Sequence, residues 1–400
     1  MADAIGKGAA VVLAHGVNGL GVVRSLHQAG YSTVVVAPAA NDLVMYSRLP
    51  ASKHVLRNSD RWPQELLQLL EGLRFPNKPP IVACDDLAAT FLAEHREALQ
   101  ARYSVLVPQL AVVRALNDKR LELELMTAKG IRIPASVTRL EDLDPATDFD
   151  GLPFPMLVKP RTHVGMALIR AKNIVVEDKA ALQAVYERYR DHLHAFVMQE
   201  VITGGDTALW LCSAAFDAES NLVAAFTFQR LGAMPFHYGV TSIGESRPNE
   251  RITALVADVG RRLGCVGPTD LEFMHDARID EFVYIEINPR IGMNNWFDTS
   301  SGVNVIGSAC DAATGVPARA YQQQPGVIFA NVLGDLTARL EVSQSPRQIA
   351  RVYWSLRARR KSWAVYRRGD AWPAVVSLVR GLQDLATRAM RQVTTRAGAR

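Results

Sequence analysis

The chain has 400 residues, more than one hydrophobic core usually serves, which predicts two or three domains. With 48% hydrophobic and 21% charged residues it is neither disordered nor fibrous, and no apolar stretch has the length of a bilayer-spanning helix. The formal net charge of +5 hides an asymmetry: residues 351–400 carry 12 basic and 2 acidic side chains, which leaves the first 350 residues at −5, so any case for nucleic acid or membrane belongs to the tail.

The first hundred residues alternate strand and helix signals. "AAVVLAHG" reads as a buried strand, "LGVVRSLHQAG" as a helix ending at Gly30, and "YSTVVVAP" as a second strand. "DRWPQELLQLLEGL" has helical apolar spacing, "PPIVACDD" is strand-like, and "LAATFLAEHREALQARY" is helical again. This pattern predicts a parallel sheet flanked by helices. The glycines of "HGVNGLG" are spaced G-x-x-G-x-G, not G-x-G-x-x-G, and the second strand ends in Ala37 and Pro38 without a carboxylate for a ribose, which argues against a dinucleotide site. The turn still offers backbone N–H groups at a helix N-terminus, suited to an anion. Gly16, Asn18 and Gly19 are therefore candidates for a carboxylate substrate's site, with a purely structural turn the equal alternative.

A boundary is expected near Val113, before the helix "RALNDKRLELELMTAKG", which stops at Gly130 with Pro134 beyond it. From about residue 150, short strands alternate with helices ("FPMLVKP", "NIVVED", "KAALQAVYERYRDHL", "AFVMQEVI", "ALWLCSAAFD", "LVAAFTFQR"). This predicts an α+β region with antiparallel pairing. Cys84, Cys212, Cys265 and Cys310 lie far apart with no C-x-x-C, which disfavours disulfides and zinc and fits a reducing compartment.

The most informative stretch is "GPTDLEFMHDARIDEFVYIEINPRIG", residues 267–292. Two strands flank the polar turn "HDARID", a hairpin signature. Alternation puts Leu271 and Phe273, and across from them Val283, Ile285 and Ile287, toward a core. Asp270, Glu272, Tyr284, Glu286 and Asn288 then share the other face. Folding the hairpin sets Glu272 opposite Glu286, where two carboxylates repel; either one is protonated or a cation lies between them. With Asn288 nearby, this all-oxygen set suits Mg²⁺, with Mn²⁺ the other candidate. Arg290 follows, placed to hold an anion. The alternative is a solvated polar face with an accidental E-x-N.

"YIEINPR" with "GPTDLEF" upstream resembles the metal-binding end of the ATP-grasp ligases. "LNDKR" places Lys119, and "FPMLVKP" places Lys159, where that family carries phosphate-contacting lysines. "VMQEVITGGD" is similar to its adenine-binding hinge: the resemblance implies backbone contacts from Glu200, Val201 and Ile202 and ribose contact from Asp206. "GVNGLGVVRSL" and "FQRLGAMPFHYGVTSIGES" are similar to the D-aspartate-ligase-like branch of carboxylate–amine ligases. "RTHVG" (161–165) loosely resembles the flexible loop that closes over phosphates, with Arg161 or His163 as contacts. Arg230 and Arg247 are further cation candidates.

The resemblance covers residues 1–340 and implies an α/β and α+β fold. Its parts are a Rossmann-like pre-ATP-grasp domain (1–113), a small lobe (114–200), a catalytic lobe (201–320) and an Arg-rich helical C-terminal extension (321–400). The implied activity uses ATP and Mg²⁺ to activate a carboxylate as an acyl phosphate and couple it to an amine, with Lys159, Arg230 and Arg290 as catalytic groups. The alternatives are a carboxyphosphate-forming carboxylase and an inactive nucleotide-binding regulatory protein. No G-x-S-x-G, H-E-x-x-H or G-x-x-x-x-G-K-[ST] is present, which disfavours hydrolase-elbow, zincin and P-loop chemistry. His192 and His194 read as a polar helix end.

In "VSLVRGLQDLATRAMRQV", Val375, Leu378, Val379, Leu382, Leu385 and Ala389 form one stripe, with Arg380, Asp384, Arg388 and Arg391 opposite. This amphipathic helix is expected to dock on the catalytic body, with at most weak contact to an anionic membrane. No nucleic-acid module accompanies the charge. The N-terminus lacks the pattern of a secretory signal, and the expected location is cytoplasmic.

Overall fold

The computed structural model describes residues 7–56, 61–169, 171–235 and 239–397. Three sheets organise the chain. The first is a five-stranded parallel sheet of β1 (Ala9–Leu13), β2 (Ser32–Ala37), β3 (Ser52–Val55), β4 (Pro80–Ala83) and β5 (Ser104–Val105), in the order β3-β2-β1-β4-β5. Its central strands are buried along almost their whole length, as expected for a parallel sheet covered on both faces. Helix Gly16–Ala29 follows β1 directly and ends on Gly30, whose φ of 93° is the left-handed cap that glycine adopts without strain.

The second sheet is the small four-stranded set β6 (Ser136–Val137), β7 (Met156–Pro160), β8 (Ile174–Val176) and β9 (Phe196–Glu200), ordered β6-β9-β7-β8 and antiparallel throughout. The third comprises β10 (Leu209–Phe216), β11 (Leu222–Met234), β12 (Val240–Ser246), β13 (Gly267–Asp276), β14 (Glu281–Asn288), β15 (Ile328–Ala330) and β16 (Lys361–Trp363). Its order is β14-β13-β10-β11-β12-β15-β16. Helix Gly16–Ala29 lies between the first and third sheets: Val22, Val23 and Leu26 share one core with Phe226, Phe228, Phe297 and Phe329.

Four sequence expectations are revised. Val113 lies inside helix Leu110–Leu116 and packs into the core of the parallel sheet; the chain breaks only at Asn117–Asp118, where Asp118 caps helix Lys119–Ala128 through the Arg120 and Leu121 N–H groups. The segment "RTHVG" is not a loop throughout, because a helix occupies His163–Ile169; the His163 side chain lies outside the described ones. The C-terminal region is more than a helical tail, since β15 and β16 extend the seven-stranded sheet. The apolar stripe of helix Trp372–Ala397 does not face the body: Val375, Leu378, Val379 and Leu382 are 44–55% exposed. The side chains of Asp384, Leu385, Arg388, Ala389 and Arg391, and residues Phe236–Tyr238 of the resemblance motif, lie outside the described set.

Candidate active site

The β13–β14 hairpin pairs Glu272 with Glu286 and Asp270 with Asn288, both directly opposite in register. Between Glu272 and Phe273 the register shifts, so Phe273 pairs with Tyr284 and Ile285 is the extra residue of a bulge. Strict alternation puts Ile285 in one core with Ile287 and Tyr284 beside Glu286; the bulge turns Tyr284 into the core of Ile287, while Ile285, partly buried, packs against the core on the other side of the sheet. Tyr284 joins Leu271, Phe273 and Ile287 in a buried cluster. Its hydroxyl donates to Glu122, which also accepts from the Ile287 N–H at 3.2 Å.

Glu122 is the first residue that motif reading missed. It is 1% exposed and lies one helical turn after Lys119, whose ammonium sits 2.8 Å from Glu122 and 2.9 Å from Glu286. Lys119 is thus clasped between two carboxylates. Burial alone would lower its pKa, but Glu122 and Glu286 hold it above the ordinary lysine range. Burial pushes the Glu286 carboxyl up, yet Lys119, aided by Lys172 and Lys159, outweighs it and brings the group down to about 2. Glu272 goes the other way: burial and the facing Glu286 charge raise it. The repulsion expected across the pair is present and is split unevenly.

Lys159, near the end of β7, donates to Gln199 Oε1 at 2.5 Å. Gln199 is 2% exposed and donates in turn to Ser136 Oγ at 3.2 Å. Burial, reinforced by the charge of Lys119, lowers Lys159 to about 8 despite Glu286, Glu122 and Glu272. Gln199 and Lys172 are further residues the motifs did not single out. Gln199 sat unremarked within "VMQEV", and Lys172 is recognisable only by the charge it exerts on Glu272 and Glu286. Two lysines, one with a raised and one with a lowered pKa, thus lie against two carboxylates split likewise.

Comparison with known proteins bears on the middle of the chain. Residues 116–293 match the ATP-grasp domain family. This stretch is an ATP-grasp domain. The chain is 22% identical over 316 residues to a D-aspartate ligase of Enterococcus faecium, covering 74% of each sequence. Its fold is similar to the biotin carboxylase domain of a Hydrogenobacter thermophilus 2-oxoglutarate carboxylase, solved with MgADP, ADP and bicarbonate. There the TM-score is 0.61 and the identity 14%, over 80% of this chain and 73% of that one. It is also similar to an L-amino acid ligase from Bacillus licheniformis, with a TM-score of 0.56 and 15% identity over 77% and 74% of the two chains.

Within the ATP-grasp domain, the backbone N–H groups of Glu200 and Val201 donate to the Ala135 and Pro155 carbonyls at 2.8 and 3.0 Å. The Glu200 carboxylate accepts from Arg278 at 2.6 Å, which ties β9 to the hairpin turn. Ile202 is buried just beyond. Asp206 and Arg230, assigned separate roles from sequence, are 3.0 Å apart and form an ion pair. Arg161 is held bidentately by Asp118, and Arg247 pairs with Glu245 at the far end of β12, in company with Arg359. Arg290 reaches out of the domain, its Nε 2.8 Å from Asp86 at the start of helix Asp86–Glu94.

The N-terminal glycine turn is already engaged. The Gly16 N–H donates to Asp42 at 2.9 Å, and Asn18 Nδ2 donates to the carbonyls of Cys84 (3.0 Å) and Ile291 (3.3 Å). At Gly19 a Cβ would stand 2.6 Å from that of Ala14. These contacts join the parallel sheet to the ATP-grasp domain, and they favour the structural reading of the turn. His192 and His194 are exposed on a short 3₁₀ segment.

Proposed function

We propose that this chain is an ADP-forming ligase that uses ATP to activate a carboxylate and join it to an amine. The observation that carries the reading is the facing pair Glu272 and Glu286 with Lys119 clasped against it. Its ATP-grasp family and its likeness to a D-aspartate ligase support the same chemistry.

The donor set fits Mg²⁺: two carboxylates and the Asn288 amide oxygen are hard oxygen ligands, and the upward shift of Glu272 is the penalty a cation would relieve. When bound, Mg²⁺ neutralises the charge on the phosphates. Lys119 and Lys159 hold phosphate oxygens of ATP, with Gln199 fixing the direction of Lys159. Glu200, Val201 and Ile202 border the adenine and Asp206 the ribose. Arg290, steadied by Asp86, orients the substrate carboxylate, and Arg230 adds positive charge beside Asp206.

A carboxylate oxygen attacks the γ-phosphorus, and the bond to the ADP oxygen breaks. The amine nitrogen then attacks the acyl carbon, phosphate leaves, and the nitrogen loses a proton to give an amide. Positioning and fixed charge supply most of such catalysis. The division into 1–113, 114–200, 201–320 and 321–400 belongs to this reading, with its first cut moved to Asn117–Asp118. So does a cytoplasmic location, which four free, buried cysteines fit.

The test is ADP release across a panel of carboxylates and amines, with mass spectrometry of the product. Glu286→Gln is expected to abolish substrate-dependent ADP release while the protein stays folded. Undiminished turnover would overturn the site. Phosphate release that requires bicarbonate and gives no amide would replace amide formation with carboxyphosphate chemistry.

A further inference from the structure

Helix Trp372–Ala397 is mounted with a charged side inward. The Arg380 guanidinium lies 5.4 Å from the centre of the Tyr46 ring and donates to the Asn41 carbonyl at 2.8 Å. Pro373 is buried, and Gly381 lies against Leu333. The outward side carries Trp372, Val375, Leu378, Val379 and Leu382, all 44–58% exposed. Their spacing of three and four residues makes them one continuous stripe. A helix recruited only to cover a core would present these faces the other way round, and a contiguous apolar surface left in water marks an interaction site.

The surroundings indicate what covers it. Of 17 large apolar residues exposed among the described ones, 10 lie at or beyond Val332. Residues 351–400 within it are the basic end of the chain, and one of the two acidic residues there, Asp370, is buried against Arg24. Arg351, Arg357 and Arg368 are exposed and make no ion pair among the described residues. Trp354 is 67% exposed, with the Arg357 guanidinium 3.9 Å from its ring centre. Pairing two copies through this basic end of the chain would bring like charges together. An anionic bilayer instead satisfies both halves: the stripe and tryptophans enter the headgroup region while the arginines meet lipid phosphates.

We propose that this face docks the protein on an anionic lipid surface, with helix Trp372–Ala397 lying in the plane of the headgroups. The inference is independent of the ligase reading. The test uses the full chain and sedimentation with phosphatidylcholine vesicles, with and without phosphatidylserine. The protein is expected to pellet with the anionic vesicles, less so as salt is raised, and to stay in solution with the neutral ones. The double substitution Leu378→Glu and Leu382→Glu, at exposed positions, is expected to keep the wild-type melting curve and weaken anionic-vesicle binding by about tenfold or more. Absence of pelleting by the wild type, or equal pelleting by the variant, overturns the proposal. So does a dimer in sedimentation velocity that the variant dissociates, since the stripe would then belong to a second copy.

Discussion

Lys159 shows how much of the site depends on side chains that need not touch a substrate. Its part-buried ammonium lies near another cation, and among the described residues it donates to the amide oxygen of Gln199. Gln199→Leu keeps the volume but removes that acceptor, and a hydrogen bond to a charged group contributes about 1.5–3 kcal/mol. The KM for ATP is therefore expected to rise on the order of tenfold, with the fold intact by circular dichroism. An unchanged KM would mean that Gln199 packs without positioning. A second residue-scale expectation concerns pH. His15 Nδ1 lies 3.2 Å from Asp85, and that hydrogen bond raises the imidazole pKa above 6.5 against the opposing effect of burial. A raised folded-state value means the contact stabilises fully below about pH 6.5 and is lost as pH rises through the folded pKa. Because His15 is well exposed, the contribution stays under about 1 kcal/mol. Asp85→Asn should move the His15 titration, followed by NMR, downward, since burial then acts without the carboxylate that opposes it; an unmoved titration would refute the pairing.

At the scale of elements, the hairpin is where sequence and structure agree and part. The alternation brings Glu272 and Glu286 near each other, but counting back from the turn through Phe273–Tyr284 would set Glu272 opposite Ile285, and the one-residue bulge is what brings Glu286 there. The bulge at Ile285 was not legible: it lets Tyr284 reach Glu122, on a helix more than 150 residues earlier, and no local pattern encodes so distant a partner. Tyr284→Phe tests that link. Glu122 keeps Lys119 and the Ile287 N–H but loses a hydroxyl donor, at a cost of about 1.5–3 kcal/mol, read as a lower denaturation midpoint at pH 7. No change in midpoint would show that the hydroxyl is dispensable to the bulge. The same divide separates the other elements. The central strands β1, β2 and β4 were legible because each is an apolar run bounded by turn residues, unlike β3 (SKHV) and the two-residue β5. The three-residue strands β15 and β16 were not, since so short a run takes its structure from the sheet it joins. For helix Trp372–Ala397 the 3.6-residue periodicity was plain, but which face turns inward depends on Tyr46 and Asn41, which sequence spacing does not bring near.

At the scale of the whole molecule, the two ends of the chain are locked together by one buried ion pair. Arg24, in the helix that follows the first strand, donates through Nε to the Asp370 carboxylate at 3.1 Å and through Nη2 to the Asp370 carbonyl at 3.0 Å. Both side chains are within 1% of full burial. The other carboxylate oxygen accepts from Ser47 Oγ and the Arg48 N–H. Asp370 stands two residues before helix Trp372–Ala397, so this cluster fixes the chain just ahead of that helix. Removing one member of a buried pair strands the other charge, and Asp370→Ala is expected to cost about 3–5 kcal/mol. Adding Arg24→Met removes the stranded charge and should recover part of the loss. Recovery stays incomplete because Ser47 and Arg48 still lack their acceptor, at about 1–3 kcal/mol for an unsatisfied buried group. Urea midpoints of the wild type and the two variants give the ranking directly. If the tether is local, limited proteolysis of Asp370→Ala will cut within residues 372–397 below the urea concentration at which the sheets unfold. A wild-type midpoint together with an equally protected C-terminal helix would show that the pair is neither stabilising nor a tether.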